Sequence, residues 1–185
     1  RVFFPKHLMD VLAQPSVRTV GDVEERTDIY WKHSDECGIK ERGASKRLEV
    51  KARSNVEGCI ETWNKSVCPS SDLQAVVAHL NMLFPEHQAT EQLLKDGSDR
   101  FVFAKSRRHG QINGTGFEQT DCAVSEPGGR VSHWRSICVE GSRKHINAGQ
   151  EALLPILSQL GPQLFVGGYP SFVVALASGK LHAPG

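Results

Sequence analysis

Apolar and polar positions alternate along most of this chain, and stretches of helical period interrupt the alternation. Side chains of a β-strand point to opposite faces with period two. Residues 27–31, 37–42, 48–53, 59–65, 100–107, 116–125 and 131–140 carry that beat. Residues 1–5 read as a short strand and 6–13 as one or two helical turns. Residues 17–20 form a short apolar segment ending in a Gly21-Asp22 turn. Turns at 43–45 and 55–58 separate the early strands at hairpin spacing, which predicts an antiparallel meander. Between residues 73 and 83 the period changes. Leu73, Val76, Val77, Leu80 and Leu83 mark one helical stripe, Asp72 is a candidate N-cap, and Pro85 stops the helix. A second short helix is expected over 89–95, and a C-terminal one over 150–160 with Pro155 inside it. Residues 164–177, broken by Gly167-Gly168 and Tyr169-Pro170, predict a final strand or turn and a short helix.

The polar beat of these strands is mostly charged. Glu49, Lys51 and Arg53 share one face of their strand, while Leu48, Val50 and Ala52 share the other. Lys40 and Arg42 pair in the same way, as do Glu61, Trp63 and Lys65, then Lys105 and Arg107, then Glu118 and Thr120, then Ser136, Cys138 and Glu140. The residues alone leave two readings open. The charges are either a solvated outer face with cross-strand ion pairs or the lining of a closed barrel. In a lumen, Lys and Arg would converge on an anion, the guanidinium as a planar fork and the ammonium as a point charge. Interspersed glutamates suit a divalent ion that bridges to phosphates.

Composition narrows the classes. The chain has 185 residues, 39% hydrophobic and 23% charged, enough for one sizeable domain over 1–185. With 22 basic and 21 acidic residues the net charge is +1, which argues against a nucleic-acid or membrane-surface protein. No run approaches a membrane span and no signal peptide is visible. The five cysteines are widely spaced with no C-x-x-C, as in reduced thiols of a cytoplasmic or organellar protein that is not secreted. The basic cluster at 105–109, followed by a glycine-rich stretch at 110–116, lacks the order of a P-loop. The tryptophans read as packing residues, with Trp63, on the Glu61/Lys65 beat, the exception.

The succession Glu49-x-Lys51-x-Arg53, Lys105-x-Arg107, Glu118 and Glu140, preceded by Asp28-Ile29-Tyr30 and Gly38-Ile39-Lys40-x-Arg42, resembles the CYTH superfamily, the triphosphate tunnel metalloenzymes. The resemblance runs loosely over residues 27–141. It implies an α+β fold whose antiparallel β-barrel of about eight strands encloses a tunnel, with helices flanking it. It also implies binding, and metal-dependent hydrolysis, of a triphosphate-containing small molecule. Glu49 and Lys51 would be catalytic. Lys40, Arg42, Arg53, Lys65, Lys105 and Arg107 would contact phosphates, and Glu61, Glu118 and Glu140 would hold Mg²⁺ or Mn²⁺. The first strand departs from the family pattern: Arg1-Val2-Phe3-Phe4-Pro5-Lys6 carries no glutamate, so the E-x-E-x-K that supplies metal-binding glutamates either lies before Arg1 or is absent. The alternative is a non-catalytic protein that binds an anion, or a subunit that serves a protein partner in a larger assembly.

Overall fold

The computed structural model describes residues 1–58, 60–68, 72–95 and 99–181, with the backbone alone at Ala44, Leu73 and Leu93. Cys59, expected to open the fifth strand, lies outside the described residues. Among the described residues no helix is long and apolar enough to cross a membrane. The fold is α+β and is built on one curled antiparallel sheet.

In chain order the strands are β1 (Val2–Pro5), β2 (Arg18–Trp31), β3 (Cys37–Arg42), β4 (Arg47–Glu57), β5 (Ile60–Val67), β6 (Arg100–Ile112), β7 (Thr115–Ser125), β8 (Val131–Cys138) and β9 (Phe165–Val166). The helices are α1 (Leu73–Leu83), α2 (Glu91–Lys95), α3 (Arg143–Leu157) and α4 (Tyr169–Ala177). Among the described residues the sheet has nine strands in the order β5-β4-β3-β2-β6-β7-β8-β1-β9. The expected closed barrel of about eight strands is therefore corrected to a nine-strand half-barrel whose edges, β5 and β9, do not pair. Side chains meet where hydrogen bonds do not: a Cβ on Gly168, just after β9, would lie 2.8 Å from the Trp63 ring of β5.

Several boundaries moved for local reasons. The Gly21-Asp22 turn does not form. β2 runs straight through it, with a register shift between Val20 and Glu24 and Gly21 at φ +73°, so the glycine makes a bulge. The turn expected at 55–58 begins later, because β4 continues to Glu57 past a shift between Arg53 and Asn55. The glycine-rich stretch is mostly strand: β6 and β7 pair up to Ile112 and Thr115, and Asn113-Gly114, both at positive φ, make the two-residue turn. Helix α1 begins as expected, with the Asp72 carboxylate accepting from the Ala75 N–H. Helix α3 starts well before residue 150, because Ser142 caps it and accepts from the His145 N–H. Residues 6–13 provide only a single 3-10 turn, Val11–Ala13.

The convex face of the sheet carries apolar clusters under the helices, parted by a largely buried Arg135–Asp121 ion pair at 2.6 Å. Ile39, Leu48, Val50 and Ala52 pack with Val76 and Leu80 of α1. Phe4, Phe117 and Ile137 pack with Leu153 and Ile156 of α3. Leu83, expected in the helical stripe and the last residue of α1, is 40% exposed.

The concave face is divided lengthwise. One end is filled by α4, whose Phe172, Val173 and Leu176 pack among Phe3, Tyr30, Phe101, Phe103 and Trp134. Phe172 stacks on Phe3 with ring centroids 4.0 Å apart. Gly38 of β3 admits this helix, since a Cβ there would sit 2.5 Å from the Pro170 ring. The other end of the concave face is the charged beat.

Candidate functional site: a charged basin

Cross-strand register assembles the basin. Tyr30 stands opposite Lys40, Asp28 opposite Arg42, Lys40 opposite Glu49 and Lys51 opposite Lys65. On the other side Glu24 faces Arg107, Arg26 faces Lys105 and Thr120 faces Ser136. Charges far apart in sequence therefore reach one cavity because every strand keeps the same beat.

Glu49 is the hub of one wall. It is fully buried, and four cations converge on it: Lys40 Nζ at 3.0 Å, Arg42 at 3.1 Å, Lys65 Nζ at 3.3 Å and Arg47 at 3.6 Å. Burial alone would raise its carboxyl, but the hydrogen bonds and charges of Lys40 and Lys65 outweigh burial and hold it at about 2. Glu118 is the hub of the opposite wall. Arg1 reaches its Oε1 at 3.0 Å, Thr120 Oγ1 donates to the same oxygen at 2.8 Å, and Arg107 clasps Oε2. Burial is again overcome, here by Arg1 and Arg107 together with the Thr120 hydrogen bond, and this carboxyl too sits at about 2.

Lys105 lies beneath the basin. Only 2% exposed, it donates to Asp28 Oδ2 at 2.9 Å and to the Tyr30 hydroxyl at 2.8 Å, and its Nζ lies 3.8 Å from the Tyr169 ring centroid. Burial lowers its amine to about 7 even though Asp28 opposes the shift. Expected among the phosphate contacts, Lys105 is placed as a floor strut whose ammonium is committed within the protein.

Lys51 is different. Among the described residues it makes no ion pair, although it projects between the two walls. Burial lowers its amine, Glu140 across the basin offsets part of that, and Arg1 and Lys65 add to the lowering. Arg53 lies farther out and is bound to Glu36 at 2.8 Å and Glu61 at 3.1 Å. Arg107 also binds Glu24, at 3.0 Å, which anchors it near the mouth. From Arg107, Glu118 and Glu140 a hollow of 340 Å³ opens past His109 and His145.

Glu61, Glu118 and Glu140 are not brought together as ligands. Glu61 accepts from Arg53 and from Trp63 Nε1, Glu118 is enclosed by Arg1 and Arg107, and Glu140 stands past the end of β8 with its side chain 76% exposed. Among the described residues no group of three or more His, Cys, Asp or Glu could hold a metal ion. The divalent ion implied by the resemblance does not fit these residues as they stand, because arginines, with Trp63 and Thr120, take up the Glu61 and Glu118 oxygens it would need.

Arg1, Arg26, Asp28, Tyr30 and Tyr169 belong to the site but were not picked out from the sequence as site residues. Arg26, Asp28 and Tyr30 share a period-two beat on β2 that could have been read. Arg1 and Tyr169 join only through the pairing of β1 with β8 and the return of α4.

No family model matches the chain, and no curated protein does. Among solved structures it is similar to a conserved hypothetical protein of Pyrococcus furiosus, at 15% identity and a TM-score of 0.46 over 91% of this chain and 96% of that one. The PH1819 protein of Pyrococcus horikoshii OT3 aligns at 14% identity and a TM-score of 0.48, over 95% of this chain and 97% of its own. The PH1012 protein of the same organism aligns at 16% and 0.47, over 91% and 95%.

Proposed function

We propose that the basin binds a small molecule carrying several linked phosphates, a triphosphate group being the class the sequence resemblance points to. One observation carries the reading: inward cations outnumber the carboxylates that could neutralise them, and Lys51 projects among them with no ion-pair partner among the described residues. A half-buried ammonium beside two other cations is costly unless an anion joins it. An extended polyanion would span Lys51, Lys65, Arg42 and Lys40 on one wall and Arg107 on the other. Charge-assisted hydrogen bonds are the stronger kind, and guanidinium groups match phosphate oxygens.

Binding is favoured over hydrolysis. An efficient general base has a pKa near the working pH. Glu49 and Glu118, both at about 2 and both enclosed by cations, are poor acceptors for a proton from water. This reading keeps the wider kinship suggested by the sequence as a proposal and reduces the catalytic role proposed for Glu49 to orienting Lys40, Arg42 and Lys65. The test is a thermal-shift and phosphate-release panel of tripolyphosphate, nucleoside triphosphates and sulfate, with and without Mg²⁺ or Mn²⁺. Tripolyphosphate should raise the melting temperature and sulfate should not, with no phosphate released. Phosphate release would establish turnover, and no thermal shift with any of them would end the proposal.

A further inference from the structure

Arg1, just before β1, lies between Glu118 and Glu140, two of the carboxylates expected to hold a metal. Its side chain is 11% exposed. One guanidinium nitrogen lies 3.0 Å from Glu118 Oε1 and donates to Ser136 Oγ at 2.9 Å; the other lies 3.6 Å from Glu140 Oε1. Its central carbon lies 4.9 Å from the Tyr169 ring centroid, and its backbone oxygen accepts from the Gly167 N–H at 3.0 Å. The group is held from below by α4, from behind by the β9 turn and in front by two carboxylates.

We infer that the Arg1 guanidinium is the resident cation of this basin: it bridges Glu118 and Glu140, takes the position a divalent ion would need, and makes anion binding metal-independent. Three physical arguments carry this. A divalent ion bound to protein takes one or two carboxylates together with waters and phosphate oxygens. Glu118 and Glu140 are the carboxylates facing that position, and a cation already lies against both. A guanidinium is always charged and planar, so it neutralises the carboxylates and still presents N–H donors to an anion. With Arg1 on Oε1 and Arg107 on Oε2, Glu118 has no unclaimed oxygen to offer a metal. The metal-independence of ligand binding rests on the function proposed above, whereas the occupation of the metal position does not.

The experiment keeps the two apart. Mn²⁺ binding to the full chain, followed by electron paramagnetic resonance without any phosphate present, should show no protein-bound ion at millimolar Mn²⁺. Arg1→Ala should gain a site at least about tenfold tighter than any in the parent, because Glu118 Oε1 and Glu140 then lose the cation they share. Arg1→Lys, which keeps the charge, should stay silent. If Arg1→Ala does not fold, Arg1→Gln keeps hydrogen-bonding capacity without the charge and should gain the same signal. Mn²⁺ binding by the parent chain, or no gain in either neutral variant, overturns the inference. In a second arm, the affinity of the parent chain for tripolyphosphate should be the same within about twofold in EDTA and in Mg²⁺. A requirement for Mg²⁺ overturns metal-independence. Failure to bind in both conditions defeats the proposed function, while the Mn²⁺ arm still decides the place of Arg1.

Discussion

Lys51 and Lys65 stand directly opposite each other on β4 and β5, a like-charged pair that would only repel if nothing else were present. Lys65 has Glu49 at 3.3 Å; Lys51 has no such carboxylate among the described residues. Replacing Lys51 by alanine should therefore weaken tripolyphosphate binding by about 10- to 100-fold, since one hydrogen bond to a charged group contributes about 1.5–3 kcal/mol. The melting temperature of the free protein should stay level or rise, because a repulsion is removed. A lowered melting temperature with unchanged affinity would show that Lys51 is a structural residue.

The carboxylates set the acid limb of stability. Glu49 and Glu118 titrate at about 2 in the folded protein against an ordinary value of 4.5, so their contribution is complete above pH 4.5. It should be lost as pH falls from about 4.5 to about 2, which a series of urea unfolding midpoints would show as a steep decline absent above pH 5. Lys105 acts on the alkaline side with the opposite history. Its folded amine sits at about 7 against 10.5, so between those values the unfolded chain holds a proton the folded one has released. Its contribution to stability should grow as pH rises through that window. The difference between the parent and Lys105→Met should show the increment, and identical pH slopes would contradict it.

Among the elements, the period-two beat was legible from sequence wherever one face is apolar, as in β3, β4 and β7. The N-terminal half of β2 was not, because residues 18–25 are exposed or half-exposed and carry little apolar alternation; only pairing with β6 makes them strand. Helix α3 hid its start for a related reason: its first turns, Arg143 to Ala148, are polar or small except for Ile146, and the capping Ser142 was the available signal. Helix α4 determines the shape of the site, and its seat depends on Gly38, which faces it. Gly38→Ala should press on Pro170 and cost about 1–3 kcal/mol, the ordinary range for overpacking. Gly21→Ala, where φ is +73° but nothing lies within 4 Å, should be milder and leave tripolyphosphate affinity unchanged. Chemical denaturation of both variants separates packing against α4 from backbone strain.

Across the whole molecule, a net charge of +1 hides a segregated distribution. Helices cover the apolar parts of the convex face, which also carries the Arg135–Asp121 pair, while one end of the concave face collects charges that bulk composition averages away. Sequence could show that charges share a beat. It could not show which face is concave, or that β5 and β9 would stop short of pairing. Nor could it show that the carboxylates expected to hold a metal are already held by arginines, since ion-pair partners here are separated by as many as 139 positions, as in Arg1 with Glu140. The charged basin makes one claim central: a polyphosphate anion completes an array of cations that the protein leaves only partly neutralised. The direct measurement is isothermal titration calorimetry of tripolyphosphate into the full chain at pH 7 in EDTA, repeated at raised salt. The account predicts saturable binding at one site that weakens as salt rises and is lost or much reduced in Lys51→Ala. No saturable heat at low salt, or binding untouched by that substitution, would contradict it.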